Sequence, residues 1–251
     1  MLKIERVEEW DALIEYLDRV CPGFRSKRQP ATQSQIAEYE ATIGQPIYPA
    51  FRQYLERIGA EDGGIFASAG YSVAIDDLIY DAVDARDVDC GPEFVQEYLT
   101  IGSSDAVWYG LRVSGEYAGR VVRLHECKED DRYTPHIADS LIGYVFGYGI
   151  TQEMRQLGTQ WAGVTAAGGL RSAIIDHFAS TLETERYSDS VRWYGRGQNM
   201  LVGIWYYPST ITKLDIRITA RSAETSMRAA EALASKISWA HLSFTNTVDD
   251  I

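Results

Sequence analysis

The side chains of this sequence that could do chemistry are mostly carboxylates, and they are concentrated in one stretch. The 251 residues include 36 Asp and Glu against 24 Lys and Arg, for a net charge of −12. Residues 61–105 alone hold eleven acidic residues and one arginine. Like charges this close repel one another and attract cations. The stretch is therefore either a solvated acidic face or a docking surface for a basic protein. Direct nucleic-acid binding is disfavoured, because it needs cations at the phosphates.

Ten carboxylates are the candidate contact residues of such a docking surface. Six are the aspartates Asp76, Asp77, Asp81, Asp84, Asp87 and Asp89. Four lie at its edge, namely Glu93, Glu97, Glu61 and Asp62. If these side chains bind a cationic partner, replacing three of the aspartates with serine should slow association and flatten its salt dependence.

Neither of the two metal-ligand patterns in the sequence matches a known site. Asp87 and Asp89 have the Asp-x-Asp spacing of a calcium loop, but the glycine and the bidentate glutamate are missing at their offsets. His125, Cys127 and His136 lie close in sequence, but a structural zinc site needs four ligands and this spacing matches no common one. We expect no metal and no cofactor.

The sequence contains no motif of a known catalytic or nucleotide site. It lacks G-x-S-x-G, H-E-x-x-H, a P-loop and G-x-G-x-x-G, and its four histidines are scattered. We therefore predict no catalytic residue and no enzyme activity. A small-ligand site on the aromatic strands of the C-terminal part is an alternative, although strand aromatics usually serve the core. These aromatics are Trp193, Tyr194, Trp205, Tyr206 and Tyr207.

Composition also bears on where the protein works. The cysteines Cys21, Cys90 and Cys127 form no C-x-x-C pair, which favours free thiols in a reducing compartment. No apolar run approaches the roughly 20 residues that span a bilayer. The charged start of the sequence also lacks the apolar core of a signal peptide. We expect a cytoplasmic protein with no membrane partner, and the oligomeric state stays open.

Three amphipathic helices precede the acidic stretch and must help to position it. Residues 4–20 carry an apolar stripe at helical spacing. Thr32 and Gln35 predict a capping box at the start of the next helix, and Gly44 predicts its end. Pro49 suits the first turn of the third helix.

The remaining N-terminal elements are predicted to form a sheet and a closing helix. A strand is predicted at 71–75, before the acidic residues, which then alternate with apolar ones. Three successive antiparallel strands are predicted at 99–101, 106–113 and 120–125. Because glycines interrupt the apolar residues of 137–150, the helix predicted there is short.

The C-terminal part is predicted to be a smaller module of helix, three strands and helix. Residues 152–169 resemble a connector with a strand-like middle. The last helix is capped by Ser222 and runs through Trp239, with Met227 facing inward.

We place the domain boundary near Thr151, between an N-terminal domain of residues 1–150 and a module of residues 151–251. The fold class is α+β, with helices packed on a largely antiparallel sheet and followed by the smaller α+β module.

The N-terminal part also carries an ordered set of short motifs. They are Ile36-Ala37-x-Tyr39-Glu40, Ile43-Gly44, Pro49, Phe51-Arg52-x-Tyr54-Leu55 and Gly63-Gly64, then Tyr98–Gly102, Val121–Leu124 and Ile137–Leu141. Their order resembles the SUKH superfamily over roughly residues 1–150. That family includes bacterial immunity proteins of polymorphic-toxin systems and a fungal cell-wall-synthesis regulator.

The resemblance implies a function in protein binding. The first hypothesis is an immunity-type protein that neutralises a cognate toxin by occluding it, the toxin being basic and directed at nucleic acids. An acidic inhibitor can cover a basic substrate cleft and also speed the encounter electrostatically. The alternative is a regulatory or scaffold protein of the same fold family that is not an antidote.

Overall fold

The computed structural model describes most of the chain and shows an α+β protein. The described residues are 6–63, 74–84, 92–104, 107–124, 136–166, 170–207, 213–236 and 241–243, and for some of them only the backbone is described. The chain divides into two compact units, Met1–Gly149 and Ile150–Ile251. Every pairing between the named strands is antiparallel.

Nine helices and twelve strands lie in the described residues. The helices are α1 (Val7–Val20), α2 (Phe24–Lys27), α3 (Gln33–Ile43), α4 (Pro49–Arg57), α5 (Ile75–Asp84), α6 (Pro92–Glu97), α7 (Leu141–Leu157), α8 (Arg171–Ala179) and α9 (Ala223–Ala234). The strands are β1 (Arg28–Gln29), β2 (Glu61–Asp62), β3 (Tyr98–Ser104), β4 (Val107–Arg112), β5 (Val121–Leu124), β6 (His136–Ala138), β7 (Thr159–Ala166), β8 (Glu183–Thr184), β9 (Arg192–Arg196), β10 (Met200–Tyr207), β11 (Lys213–Ala220) and β12 (His241–Ser243).

The helix boundaries predicted in the N-terminal unit are confirmed at α3 and α4. The Thr32 hydroxyl accepts a hydrogen bond from the backbone N–H of Gln35 at 3.3 Å. The side-chain oxygen of Gln35 accepts one from the backbone N–H of Thr32 at 3.0 Å. Gly44 ends α3 in the left-handed conformation, at φ 70°. Pro49 occupies the first turn of α4, where its missing amide costs no hydrogen bond.

The core of this unit is built from the aromatic faces of α1, α3 and α4. Trp10, Tyr39 and Phe51 have no exposed surface, and Tyr54 is also buried. The rings of Phe51 and Tyr54 stack with centroids 5.8 Å apart, and Tyr39 meets Phe51 edge-on. Burial of several large rings supplies much of the apolar surface removed from water in a domain of this size.

The first half of the acidic stretch is helical. The strand predicted at 71–75 was wrong at Ile75, which begins α5, and residues 71–73 lie outside the described residues. The apolar residues of α5 follow helical spacing, since Ile75, Leu78 and Ala82 are buried where the helix packs on α3 and β3.

The four-stranded sheet β3-β4-β5-β6 confirms the three successive strands predicted here and adds β6. The short helix predicted in 137–150 was wrong, because α7 has 17 residues. Gly149 of this helix serves close packing. A Cβ atom on Gly149 would lie 2.6 Å from Leu17 and 2.9 Å from Tyr16, so only glycine lets α7 approach α1 this closely.

The second unit is built on a six-stranded sheet in the order β12-β7-β11-β10-β9-β8. The three strands predicted for the module are confirmed as β9, β10 and β11. The strand-like middle predicted within 152–169 is confirmed as β7, but the connector was wrong, because α7 runs to Leu157 and β7 pairs with both β11 and β12. The strands that pair with β7 come far later in the chain, so the local pattern predicted a strand but not its place inside the sheet.

Two helices cover one face of this sheet. Ile174 and Phe178 of α8 and Leu233 of α9 pack with strand residues such as Ile204 and Ile216. The hydroxyl of Ser222 caps α9 as predicted, accepting from the Thr225 amide at 3.2 Å.

The predicted end of α9 and the predicted orientation of Met227 differ from the structure. The structure ends this helix at Ala234, and Trp239 lies outside the described residues. Met227 is 46% exposed, so its predicted inward orientation was wrong. Ser226, Ala230 and Leu233 form the buried face instead.

Candidate protein-binding face

Helix α5 divides the predicted acidic contact residues into two groups. Its buried side carries Ile75, Leu78 and Ala82. The opposite side exposes Asp76, Asp77, Tyr80 and Val83, with Asp84 half-buried beside them. We name these five outward residues, Asp76, Asp77, Tyr80, Val83 and Asp84, the α5 outer face.

Tyr80 is the central side chain of the α5 outer face. It is 70% exposed, and Val83 is 38% exposed. Residues three and four apart share one side of a helix, so Asp76 and Asp77 lie one turn before Tyr80, and Val83 and Asp84 lie one turn after it. An exposed aromatic ring is thus bordered by carboxylates, an arrangement suited to a cationic or mixed partner surface.

Asp76 and Asp77 have a second, local role. Both lie in the first turn of α5, where unpaired backbone amides and the helix dipole favour negative charge. Some of the acidic residues of this stretch therefore stabilise α5 itself.

Asp81 is half-buried and does not belong to the α5 outer face. One of its carboxylate oxygens is buried. Burial, followed by the Asp81 charge, raises the pKa of the Tyr39 hydroxyl well above its ordinary value. That hydroxyl donates to the Thr100 carbonyl at 3.4 Å and so joins α3 to β3. Asp81 is placed to act on this buried contact.

Asp62 also points inward, whereas its neighbour Glu61 is exposed. Both lie on β2, which pairs with β1 so that Asp62 faces Arg28 across the ladder. Asp62 is only 6% exposed. Burial first, and the Asp62 charge second, raise the pKa of the Tyr54 hydroxyl well above its usual range.

Glu97 is already engaged in an ion pair. It accepts a hydrogen bond from the Arg112 guanidinium at 2.7 Å, which ties the end of α6 to β4. Arg112 also lies over the Tyr98 and Tyr117 rings, at 5.8 Å and 5.6 Å from their centroids. Because its charge is balanced in this way, Glu97 contributes little to an acidic docking surface.

Three predicted contact residues cannot be assigned to either group. Asp87 and Asp89 lie outside the described residues. Glu93 belongs to α6, but its side chain is also outside the described part.

The sequence reasoning missed Tyr80 and Val83 as surface residues. The predicted alternation of acidic and apolar residues in this stretch gives neither residue a place on the surface. The signal that identifies them is helical spacing, because Ile75, Leu78 and Ala82 define one side and leave Tyr80 on the other.

The aromatic residues proposed for a ligand site in the second unit are mostly packed. Trp193 and Tyr194 are buried, and Trp205 and Tyr206 are half-buried. The Arg217 guanidinium lies 5.1 Å from the centre of the Trp205 ring. The side chain of Tyr207 is not among those described.

The other candidate chemistry gains no support in the described part of the chain. No group of three or more His, Cys, Asp or Glu there could hold a metal ion. Cys21 is a buried free thiol whose pKa is raised by burial to about 11, which makes it a poor nucleophile. None of the described helices has the length and apolar character required to cross a membrane.

Comparison with known proteins assigns the chain to no family. No protein-family model matches the sequence, and no match was found among curated proteins.

Proposed function

We propose that this protein is an immunity-type module that neutralises a basic protein toxin by covering it, with the α5 outer face as the centre of contact. The observation that carries the proposal is the exposed Tyr80 ring bordered by Asp76, Asp77 and Asp84 on a helix whose other side is fixed in the core. The proposed activity is binding and occlusion, without catalysis or a cofactor.

The chemistry of this face fits a cationic partner. Interface contacts that dominate binding are enriched in tyrosine, because its ring buries a large area at low entropic cost. The surrounding carboxylates attract a basic surface and accelerate the encounter. A toxin that acts on nucleic acid needs a positively charged cleft, and a helix face of opposite charge can fill it.

The resemblance of residues 1–150 to the SUKH superfamily supports the same reading, since that family contains immunity proteins. Under this proposal the protein works in the cytoplasm and binds neither nucleic acid nor membrane. The remaining predicted carboxylates differ in how much we expect each to contribute to partner binding. Glu61 is exposed and available to a partner, whereas Asp62 is buried and Asp81 is half-buried.

The direct test is capture of the partner, followed by an assay of its activity. The tagged full chain is incubated with lysate of its native host at low and moderate salt, beside the Tyr80→Ala variant as a matched control. We expect one basic toxin domain to be retained by the wild type, released as salt rises, and lost with Tyr80→Ala. Addition of an equimolar amount of the protein should then abolish the activity of the purified toxin.

Two outcomes contradict this function. Retention of cell-wall or signalling enzymes would favour a regulatory or scaffold protein. A captured toxin that stays active when saturated with the protein would show that binding does not occlude it.

A further inference from the structure

Arginine side chains lie over aromatic rings at several places in this protein. The Arg19 guanidinium is 5.4 Å from the centre of the Tyr16 ring, and the Arg217 guanidinium is 5.1 Å from that of Trp205. Every cation that lies over a ring within the described residues is an arginine. A guanidinium group is planar and weakly hydrated, so it stacks on an aromatic face more readily than the ammonium group of lysine does.

Tyr117 shows how such a contact is built at an exposed ring. It lies in the turn between β4 and β5 and is 42% exposed. The Arg120 guanidinium is 4.3 Å from the centre of its ring, and the Arg120 Nε atom is 3.6 Å from an Asp139 carboxylate oxygen. Arg112 approaches the same ring at 5.6 Å and pairs with Glu97. Each arginine is thus held by a ring and a carboxylate together.

The α5 outer face has the ring and the carboxylates of this arrangement but not the arginine. Asp76, Tyr80 and Asp84 follow one another at intervals of four residues, so they form one row along the helix with the ring in the middle. Tyr80 is 70% exposed, more than Tyr117. In the part of the chain that the structure describes, no cation lies over the Tyr80 ring.

The spacing of this row decides which group can complete it. Side chains four residues apart on a helix have Cβ atoms about 5–6 Å apart, and a cation is attracted to a ring within about 6 Å of its centre. A guanidinium stacked on Tyr80 can therefore donate from its edge to Asp76 or Asp84 at the same time. The ammonium group of lysine is a strongly hydrated point charge and has no plane to stack.

We infer that Tyr80 receives an arginine side chain of the partner, which stacks on the ring and pairs with Asp76 or Asp84. This contact rests on the proposed function, because it specifies what the basic toxin must carry. The toxin needs an exposed arginine, and not a lysine, at the centre of the surface that α5 covers. A partner of equal charge that presents only lysines should bind this face less tightly.

Peptides of equal charge test the preference for arginine on the full chain. The probes are a peptide with three arginines separated by glycines and the same peptide with three lysines. Their dissociation constants are measured from the shifts of the α5 amide resonances in nuclear magnetic resonance spectra. We expect the arginine peptide to bind about threefold or more tightly than the lysine peptide. Tyr80→Leu should abolish this preference, and Tyr80→Phe should keep it.

Tyr117→Leu is the matched control, because it removes the other exposed tyrosine ring, and it should leave the preference for arginine unchanged. Asp76→Asn combined with Asp84→Asn should weaken the binding of both peptides. The assignment of an arginine to Tyr80 is overturned if the wild type binds neither peptide, if it binds the two equally, or if the preference survives Tyr80→Leu.

The peptide experiment and the capture experiment fail independently. Loss of the preference for arginine counts against this contact alone, whereas a clear preference without a captured toxin counts against the proposed function alone. With a captured toxin, its exposed arginines are changed to lysine one at a time. One substitution should weaken wild-type binding about fivefold and Tyr80→Leu binding hardly at all. If no substitution behaves in this way, the toxin does not place an arginine on Tyr80.

Discussion

At the scale of single residues, Tyr80 tests the candidate docking surface most directly. We expect Tyr80→Ala to weaken binding of the captured partner about tenfold or more, because truncating a central interface tyrosine commonly costs at least this much. The Tm should not fall, since the 70% exposed ring contributes little to the core. Calorimetric titration and circular dichroism measure the two effects.

The matched control for Tyr80 is Met227→Ala, which removes another exposed apolar side chain from a helix surface. It should leave the partner's affinity unchanged. Equal effects of Tyr80→Ala and Met227→Ala would show that the α5 outer face has no special part in binding.

Alanine substitutions at Gly63 and Gly44 distinguish the cost of steric overlap from the cost of an unfavourable backbone conformation. Both have positive φ, at 74° and 70°. A Cβ atom on Gly63 would lie 2.4 Å from the Phe24 ring and 2.9 Å from the Phe24 carbonyl oxygen. At Gly44, no atom of the described residues lies within 4 Å of the added Cβ.

Gly63→Ala should therefore lower the free energy of unfolding by about 2–4 kcal/mol, by adding overpacking to the strain of a left-handed alanine. Gly44→Ala should cost only about 1 kcal/mol, the conformational part alone. Urea denaturation of the two variants measures the difference. Equal losses would mean that Phe24 moves aside without cost.

The carboxylates show what could be predicted about the site from sequence at this scale. Charge counting located the acidic stretch, and Asp76 and Asp77 are exposed within it. It could not show that Asp62 is buried and that Asp81 is half-buried, because burial depends on elements that are distant in sequence. Counting charges shows how many acidic residues a segment contains. A binding surface also requires that their side chains lie on the same face.

At the scale of elements, α8 contacts the turn that follows α9, and this contact depends on pH. Lys236 is 3.3 Å from the Nδ1 atom of His177, and lysine can only donate to it. Burial first, and the Lys236 charge second, lower the pKa of His177 below its ordinary value. As the pH falls below about 6.5, the unfolded chain binds this proton more readily than the folded one, so stability is lost through that window down to the folded pKa.

His177→Gln should flatten this dependence. We expect the Tm difference between pH 7.5 and pH 5.5 to be smaller in His177→Gln than in the wild type, because the substituted side chain no longer titrates. Lys236→Met should flatten it less, since burial is the larger cause. Identical pH profiles for the wild type and His177→Gln would contradict the assignment.

Local sequence signals predicted helix ends correctly, but they failed where an element depends on contacts with residues far along the chain. The Thr32 capping box, Gly44 and Pro49 lie at helix ends where neighbouring residues determine the structure, and all three predictions were confirmed. The helix α7 was predicted too short, because Gly149 was taken as an interruption whereas it allows close packing on α1. The strand-like middle of 152–169 predicted β7, but not its place inside the sheet, because that place depends on β11, which lies far along the chain.

At the scale of the whole molecule, the net charge of −12 makes association with a basic partner sensitive to salt. Asp76→Asn combined with Asp77→Asn should lower the association rate constant several-fold at low salt and flatten its decrease with ionic strength. Glu8→Gln combined with Glu15→Gln on α1 changes the net charge equally and should have a smaller effect. Stopped-flow mixing measures both, and equal slopes for the two pairs would mean that total charge, and not the α5 outer face, steers the encounter.

The strand order of the second unit has a consequence for how the protein is made. Strand β7 lies between β11 and β12, and both are synthesised after β8, β9 and β10. During translation β7 therefore emerges early and waits with both of its edges unpaired, in the state most prone to pairing with another chain. Completion of this sheet is a late event, and a chain truncated before Lys213 contains β7 without either of the strands that flank it in the described sheet.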